Sequence, residues 1–199
     1  MSSRLTDSIV LGIDTSNYRT SAAVYNAVTG EYTNCGRLIG VPEGAIGVRQ
    51  SEALFQHTVG LHSLIANLPY GVPLKAVGVS TRPRAVDGSY MPCFLAGESV
   101  ARSAAHLLGV PLIACSHQQG HLAAAAMSAD RLELLDGAFL AWHLSGGTTE
   151  LLHVQPGEDG LPEARCIGGS EDLSAGQLID RCGRLLGLSF PAGADLDEL

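Results

Sequence analysis

Residues 8–16 read Ser8-Ile9-Val10-Leu11-Gly12-Ile13-Asp14-Thr15-Ser16, an apolar run that ends abruptly in a carboxylate and two hydroxyls. Small and β-branched residues resume from Ser21 to Tyr25, and the turn signal Thr29-Gly30 precedes a further run from Tyr32 to Ile39. Three strands are therefore predicted, with Asp14, Thr15 and Ser16 at a strand end. There they can face a phosphate or a metal-bound water, or simply satisfy the backbone of a turn.

Working outward, Gln50 to Leu68 carries Leu54, Val59, Leu61, Leu64, Ile65 and Leu68 at helical spacing. His57 and His62 diverge around such a helix, so they read as surface or interface histidines that share no metal. Lys75 to Ser80 is a predicted strand running into Arg82-Pro83-Arg84, where two guanidiniums beside a stiffened turn suit an anion or stay solvated. A helix from Pro92 to Leu108 follows, its Ala96, Gly97, Ala101, Ala104 and Ala105 permitting close packing, with Gly109 as cap. Pro111 to Cys115 is the next strand. This order predicts an α/β protein with a mixed sheet flanked by helices.

His117-Gln118-Gln119-Gly120-His121 opens the next helix, near a Ser116 cap. Histidines four apart share one helix face, the usual helical arrangement for two ligands of one divalent metal and one also found in ordinary cores. Gln118 and Gln119 between them supply no Glu, which disfavours a His-Glu-x-x-His metalloprotease. After Ser128-Ala129-Asp130 the pattern restarts. A strand from Gly137 to Leu144, a turn at Ser145-Gly146-Gly147-Thr148 and a strand from Thr149 to Val154 make a hairpin. Its turn amides could form an anion nest, although a plain hairpin needs Gly too. A strand at Ala164 to Ile167, a helix from Ser174 to Leu186 and an acidic tail complete the chain. The restart predicts two lobes, a complete one over 1–130 and a partial one over 131–199.

A net charge of −8, from 12 Lys and Arg against 20 Asp and Glu, argues against a broad grip on nucleic acid. A tRNA partner would need basic surface from a second protein. Five cysteines without a Cys-x-x-Cys pair fit a reduced, cytoplasmic setting. Arg4 precedes no long apolar segment, and no run approaches the roughly twenty apolar residues of a membrane span.

Several stretches together resemble one family. They are Val10 to Ser16, the His117/His121 helix, Leu144-Ser145-Gly146-Gly147-Thr148-Thr149-Glu150, Gly168-Gly169-Ser170-Glu171-Asp172, Ala175-Gly176, Asp180-Arg181 and Leu185-Leu186-Gly187-Leu188. In this order they are similar to the TsaD and Kae-type family, long labelled O-sialoglycoprotein endopeptidase or glycoprotease. The resemblance implies an actin-like ATPase (ribonuclease H-like) fold. It also implies threonylcarbamoyl transfer from an adenylate to N6 of a tRNA adenosine. His117 and His121 would hold a divalent metal, iron or zinc, and His143, standing where some members have a tyrosine near it, would join them as a third imidazole ligand. Asp14 and Ser16, with Ser145, Gly146 and Gly147, would face ATP or an acyl-adenylate, and Gly176 with Asp180 its ribose. The chain departs from the family at Gln119 and Gln177, where Glu is usual, and at Arg82-Pro83-Arg84, where Gly-Pro-Gly is usual. The downstream Asp ligand has no counterpart. A divergent paralogue or a truncated member follows, either an enzyme or a non-catalytic module that dimerises with itself or with a related actin-like protein.

Overall fold

The computed structural model describes residues 8–41, 47–69, 73–189 and 191–199; Arg4 lies outside them. The chain divides into two compact units, Met1–His121 and Leu122–Leu199.

In the first unit, β1 (Ile9–Asp14), β2 (Arg19–Asn26) and β3 (Tyr32–Leu38) form an antiparallel meander. Helix α1 (Gln50–Ala66) leads to β4 (Leu74–Arg82), parallel to β1, and α2 (Phe94–Leu108) leads to β5 (Leu112–Ser116), parallel to β4. The sheet order is β3-β2-β1-β4-β5. This is the ribonuclease H-like arrangement of actin-like proteins, as the resemblance implies.

Alternation places Leu11 and Ile13 of β1 in the core with Val77 and Val79 of β4, against Leu61 of α1 and Ala101 of α2. The small face of α2 is needed. A Cβ at Gly97 would lie 2.9 Å from Thr15 Oγ1 and 3.1 Å from Ile13 Cγ2. Thr15, fully buried, donates to Cys93 O at 3.0 Å and accepts from the Gly97 amide at 3.1 Å, tying the end of β1 to the start of α2.

His57 corrects the surface reading: it is fully buried, on the stripe Ala53-His57-Leu61-Leu64 that α1 turns inward. Thr20 of β2 makes this burial tolerable, its Oγ1 lying 2.7 Å from His57 Nδ1, whereas Nε2 has no hydrogen-bond partner among the described residues. Burial pushes the imidazole below its ordinary value, against the Asn17 backbone and the Asp14 charge.

The second unit holds the antiparallel meander β6 (Phe139–Leu144), β7 (Thr149–Pro156) and β8 (Pro162–Gly169), followed by α4 (Ala175–Leu185) and α5 (Gly193–Asp197). Helix α3 (His117–Ser128) and a short 3-10 helix at Leu132–Asp136 precede it. Among the described residues its sheet has three strands, an antiparallel meander like the first three strands of the other sheet. Leu152 and Val154 of β7 pack with Leu122 in its core. The 3-10 helix and α5 were not foreseen; α5 overlaps the start of the expected acidic tail, Asp195 to Leu199.

Candidate functional site

The parallel part of the first sheet decides where chemistry can gather. Ile13 pairs with Val79, and Ser80 with Cys115, so Asp14, Ser80 and the Ser116-His117 junction lie together at the C-terminal ends of β1, β4 and β5. Open α/β sheets bind ligands at such ends.

Asp14 is the hub. Its Oδ2 accepts from Ser80 Oγ at 2.5 Å and meets His117 Nδ1 at 2.8 Å, while Oδ1 accepts the Ser16 amide at 2.8 Å. Burial pushes this carboxyl upward, but the His117 hydrogen bond and charge, with those from Ser16 and Ser80, hold it well below the usual carboxylate range. The pair spans 103 residues of sequence and exists only because the sheet closes. Burial and the same negative charge, opposed by Arg82, push the Cys115 thiol up to about 11. It is a poor nucleophile there.

Residues 116–121 fold as the start of α3 through a capping box. The Ser116 amide donates to Gln119 Oε1 at 2.7 Å, and the Gln119 amide donates to Ser116 Oγ at 3.2 Å. Gln119, the departure from the family's Glu, is thus buried and occupied with helix initiation. Pro83 of the Arg82-Pro83-Arg84 loop accepts the Gln118 amide at 3.0 Å. The helix brings His117 and His121 together, ring centroids 4.1 Å apart and tilted by 66°.

In the second unit, His143 and Glu150 are cross-strand partners of the β6–β7 hairpin, with Nδ1 3.3 Å from Oε2. The turn itself departs from an open nest. Ser145 Oγ accepts the amides of Gly147 at 3.2 Å and Thr148 at 3.0 Å, so a hydroxyl holds the position an anion would take. Gly146 and Gly147 face open space. Gly176 does not: its Cβ would lie 2.7 Å from Gly146 Cα and from Ser145 O. The start of α4 closes on this turn, Ser174 Oγ donating to Gly146 O at 2.7 Å and the Ala175 amide to Thr149 Oγ1 at 2.6 Å. Asp180 is drawn elsewhere, its Oδ1 accepting the Ala192 amide at 3.0 Å.

The expected site residues therefore fall into two groups. Asp14, Ser16, His117 and His121 come together in one unit, and Ser145, Gly146, Gly147 and Gly176 in the other, with His143 on the adjoining hairpin. Ser80 and Glu150, which hydrogen-bond with Asp14 and His143, were not among the expected site residues. The hairpin register already implied Glu150, since a four-residue turn at 145–148 puts it opposite His143.

As a test for a divalent metal, the donor set goes part of the way: two imidazoles, His117 and His121, stand together. Metal-binding imidazoles commonly engage a carboxylate through the other ring nitrogen, as His117 does with Asp14. Among the described residues no three His, Cys, Asp or Glu side chains are grouped to hold an ion by themselves.

The antiparallel meander continued by parallel strands with helical crossovers gives the first unit an actin-like fold. Within that class the chain belongs to the TsaD family, tRNA N6-adenosine threonylcarbamoyltransferase, which it matches over residues 73–199. It is 38% identical over 119 residues to the tRNA N6-adenosine threonylcarbamoyltransferase of Streptococcus pneumoniae strain ATCC 700669 / Spain 23F-1, covering 58% of this chain and 33% of that protein. The protein of the same description from strain Hungary19A-6 is 39% identical over 105 residues, covering 53% of this chain and 29% of that protein. The chain thus spans about a third of the length of the curated relatives it matches. Among solved structures it is similar to YeaZ from Pseudomonas aeruginosa (18% identity, TM-score 0.44, 85% of this chain and 68% of that one). It is also similar to the ethanolamine utilization protein EutJ from Carboxydothermus hydrogenoformans (15% identity, TM-score 0.49, 94% and 60%).

Proposed function

We propose that this chain contributes the nucleotide- and metal-facing part of a threonylcarbamoyl transferase that modifies N6 of adenosine in tRNA. The observation that carries the reading is the His117/His121 pair at the ends of the parallel strands, with Asp14 behind His117. His117 and His121 are the proposed imidazole donors to iron or zinc, and His143 is a further donor of the same kind in the second unit. A bound divalent metal would supply Lewis-acid charge for the phosphate or carbamoyl oxygens of an acyl-adenylate. The chain's own groups then have separate tasks. Asp14 holds its charge and orients His117, Ser16 offers a hydroxyl at the end of β1, and the Ser145-Gly146-Gly147 turn offers backbone amides to a phosphate if the Ser145 hydroxyl rotates away. Gly176 keeps α4 close to that turn, while Asp180 is available to a ribose only if it gives up Ala192.

Zinc titration with and without ATP tests the reading. Wild-type chain should bind metal, and His117→Ala and His121→Ala should each bind it at least tenfold more weakly. Unchanged metal content in both variants removes the proposed site.

A second reading, a non-catalytic module that pairs with itself or with an active relative, is favoured by the exposed Leu140, Trp142 and Leu144 on β6. A chain that stays monomeric in light scattering, alone and with a relative, counts against it.

A further inference from the structure

Arg82-Pro83-Arg84 sits at the same strand ends as Asp14 and His117 but has no part in the chemistry assigned there. Strands β4 and β5 run in register as far as Ser80 and Cys115 and then slip, so that the next pair is Arg82 with Ser116. Thr81 is the extra residue, and such an irregularity bends a strand and re-aims the side chains beyond it. The segment beyond is fastened at three points. Thr81 Oγ1 donates to Cys115 O at 3.3 Å, the Gln118 amide donates to Pro83 O at 3.0 Å, and the Arg84 amide donates to Ser89 Oγ at 2.9 Å. Pro83 fixes a backbone angle of the same turn. Arg82 therefore projects from a braced base at the end of β4.

Its side chain is exposed, and among the described residues no carboxylate forms an ion pair with it. Asp14, the acid at these strand ends, is already engaged by Ser80, the Ser16 amide and His117. Arg82 is nevertheless near enough to the site for its positive charge to act on the Cys115 thiol. A chain of net charge −8 repels anions at large, so an anion that settles on it needs a local cation of this kind.

We propose that Arg82 is an anion-binding residue of the first unit, whose guanidinium takes the phosphate of a nucleotide ligand at the ends of β1, β4 and β5. The nucleotide identity rests on the transferase reading above; the anion site rests on the braced, unpaired guanidinium. Two parallel N–H groups of a guanidinium can meet two phosphate oxygens, a fork that an ammonium does not reproduce. The glycine usual in the family at this position has no side chain to offer. The contact therefore belongs to this chain's departure from the family pattern.

The test is calorimetry on the full chain in EDTA, with AMP, adenosine and inorganic phosphate as separate probes. Wild type should bind AMP about tenfold or more tightly than adenosine, and Arg82→Gly should weaken AMP about 10–100-fold while leaving adenosine unchanged. Arg82→Lys, which keeps the charge without the fork, should recover part of the loss. Arg131→Gln removes a cation from the second unit and should alter neither affinity. Absence of AMP binding to the wild type, an AMP affinity unchanged in Arg82→Gly, equal losses for AMP and adenosine, or AMP bound no more tightly than inorganic phosphate would overturn the proposal. Should Arg82→Gly loosen the strand end, Arg82→Gln decides by the same readouts without the backbone freedom of glycine. Failure of the metal-dependent transferase reading looks different: zinc binding is indifferent to His117→Ala and His121→Ala, while the preference for AMP over adenosine still depends on Arg82.

Discussion

The two carboxylate–imidazole pairs are built by opposite means. Asp14 and His117 meet at 2.8 Å across three strands, with Ser80 and the Ser16 amide fastening the carboxylate, whereas His143 and Glu150 meet at 3.3 Å on adjacent strands of one hairpin. A contact between distant segments depends on the whole sheet and gains rigidity from it. A hairpin contact needs only its register. The first pair should therefore be lost with any weakening of the first core, and the second should be more local in what disturbs it.

Core truncation gives the largest effect and the sharpest test of that contrast. Leu61→Ala, at a side chain only 1% exposed, should cost about 2–5 kcal/mol in urea unfolding and broaden the His117 ring signals. If the His117 signals stay sharp in a strongly destabilised variant, the first pair does not depend on the core as argued. Overpacking comes next. Gly176→Val should cost about 1–3 kcal/mol because its side chain meets the Ser145-Gly146 backbone, whereas Gly147→Ala, facing open space, should be close to neutral. Equal costs at the two glycines would sink the claim that α4 must approach the turn. In the capping box of α3, Gln119→Ala should lose about 0.5–2 kcal/mol, while Gln119→Glu, which preserves the acceptor, should change thermal stability little.

The smallest expected effects lie in pH dependence. Asp14 has a folded value held below its unfolded one, so its contribution is present above about pH 4 and is lost as pH falls through the lower folded value. Asp14→Asn should flatten the acid limb of the unfolding curve. Buried His57 has a lowered folded value, so the unfolded chain takes up the proton first and stability falls as pH drops below about 6.5. His57→Gln should flatten that part of the curve, and an unchanged slope would argue that the ring is not held neutral.

Much of the fold was legible because its signals are local. The apolar run into Asp14, the small-residue face of α2 and the turn at 145–148 each specify an element through spacing or turn chemistry, and the predicted strands and major helices fall close to the observed ones. The polar interior was less legible. His57 looked like a surface residue because its partner Thr20 lies on another element, and the stripe Ala53-His57-Leu61-Leu64 becomes meaningful only once α1 packs on β2. Within the site, His117 and His121 could be paired by helical spacing, and Glu150 could have been paired with His143 by hairpin register. Ser80 could not be found this way, because only the parallel pairing of β1 with β4 brings it to Asp14.

The capping of α3 also has a dynamic consequence. Helix starts ordinarily fray, since their first amides lack partners within the helix. Here the amides of Ser116, Gln118 and Gln119 are held by Gln119 Oε1, Pro83 O and Ser116 Oγ. In deuterium exchange this first turn should be slow, a stationary mount from which the rings of His117 and His121 project.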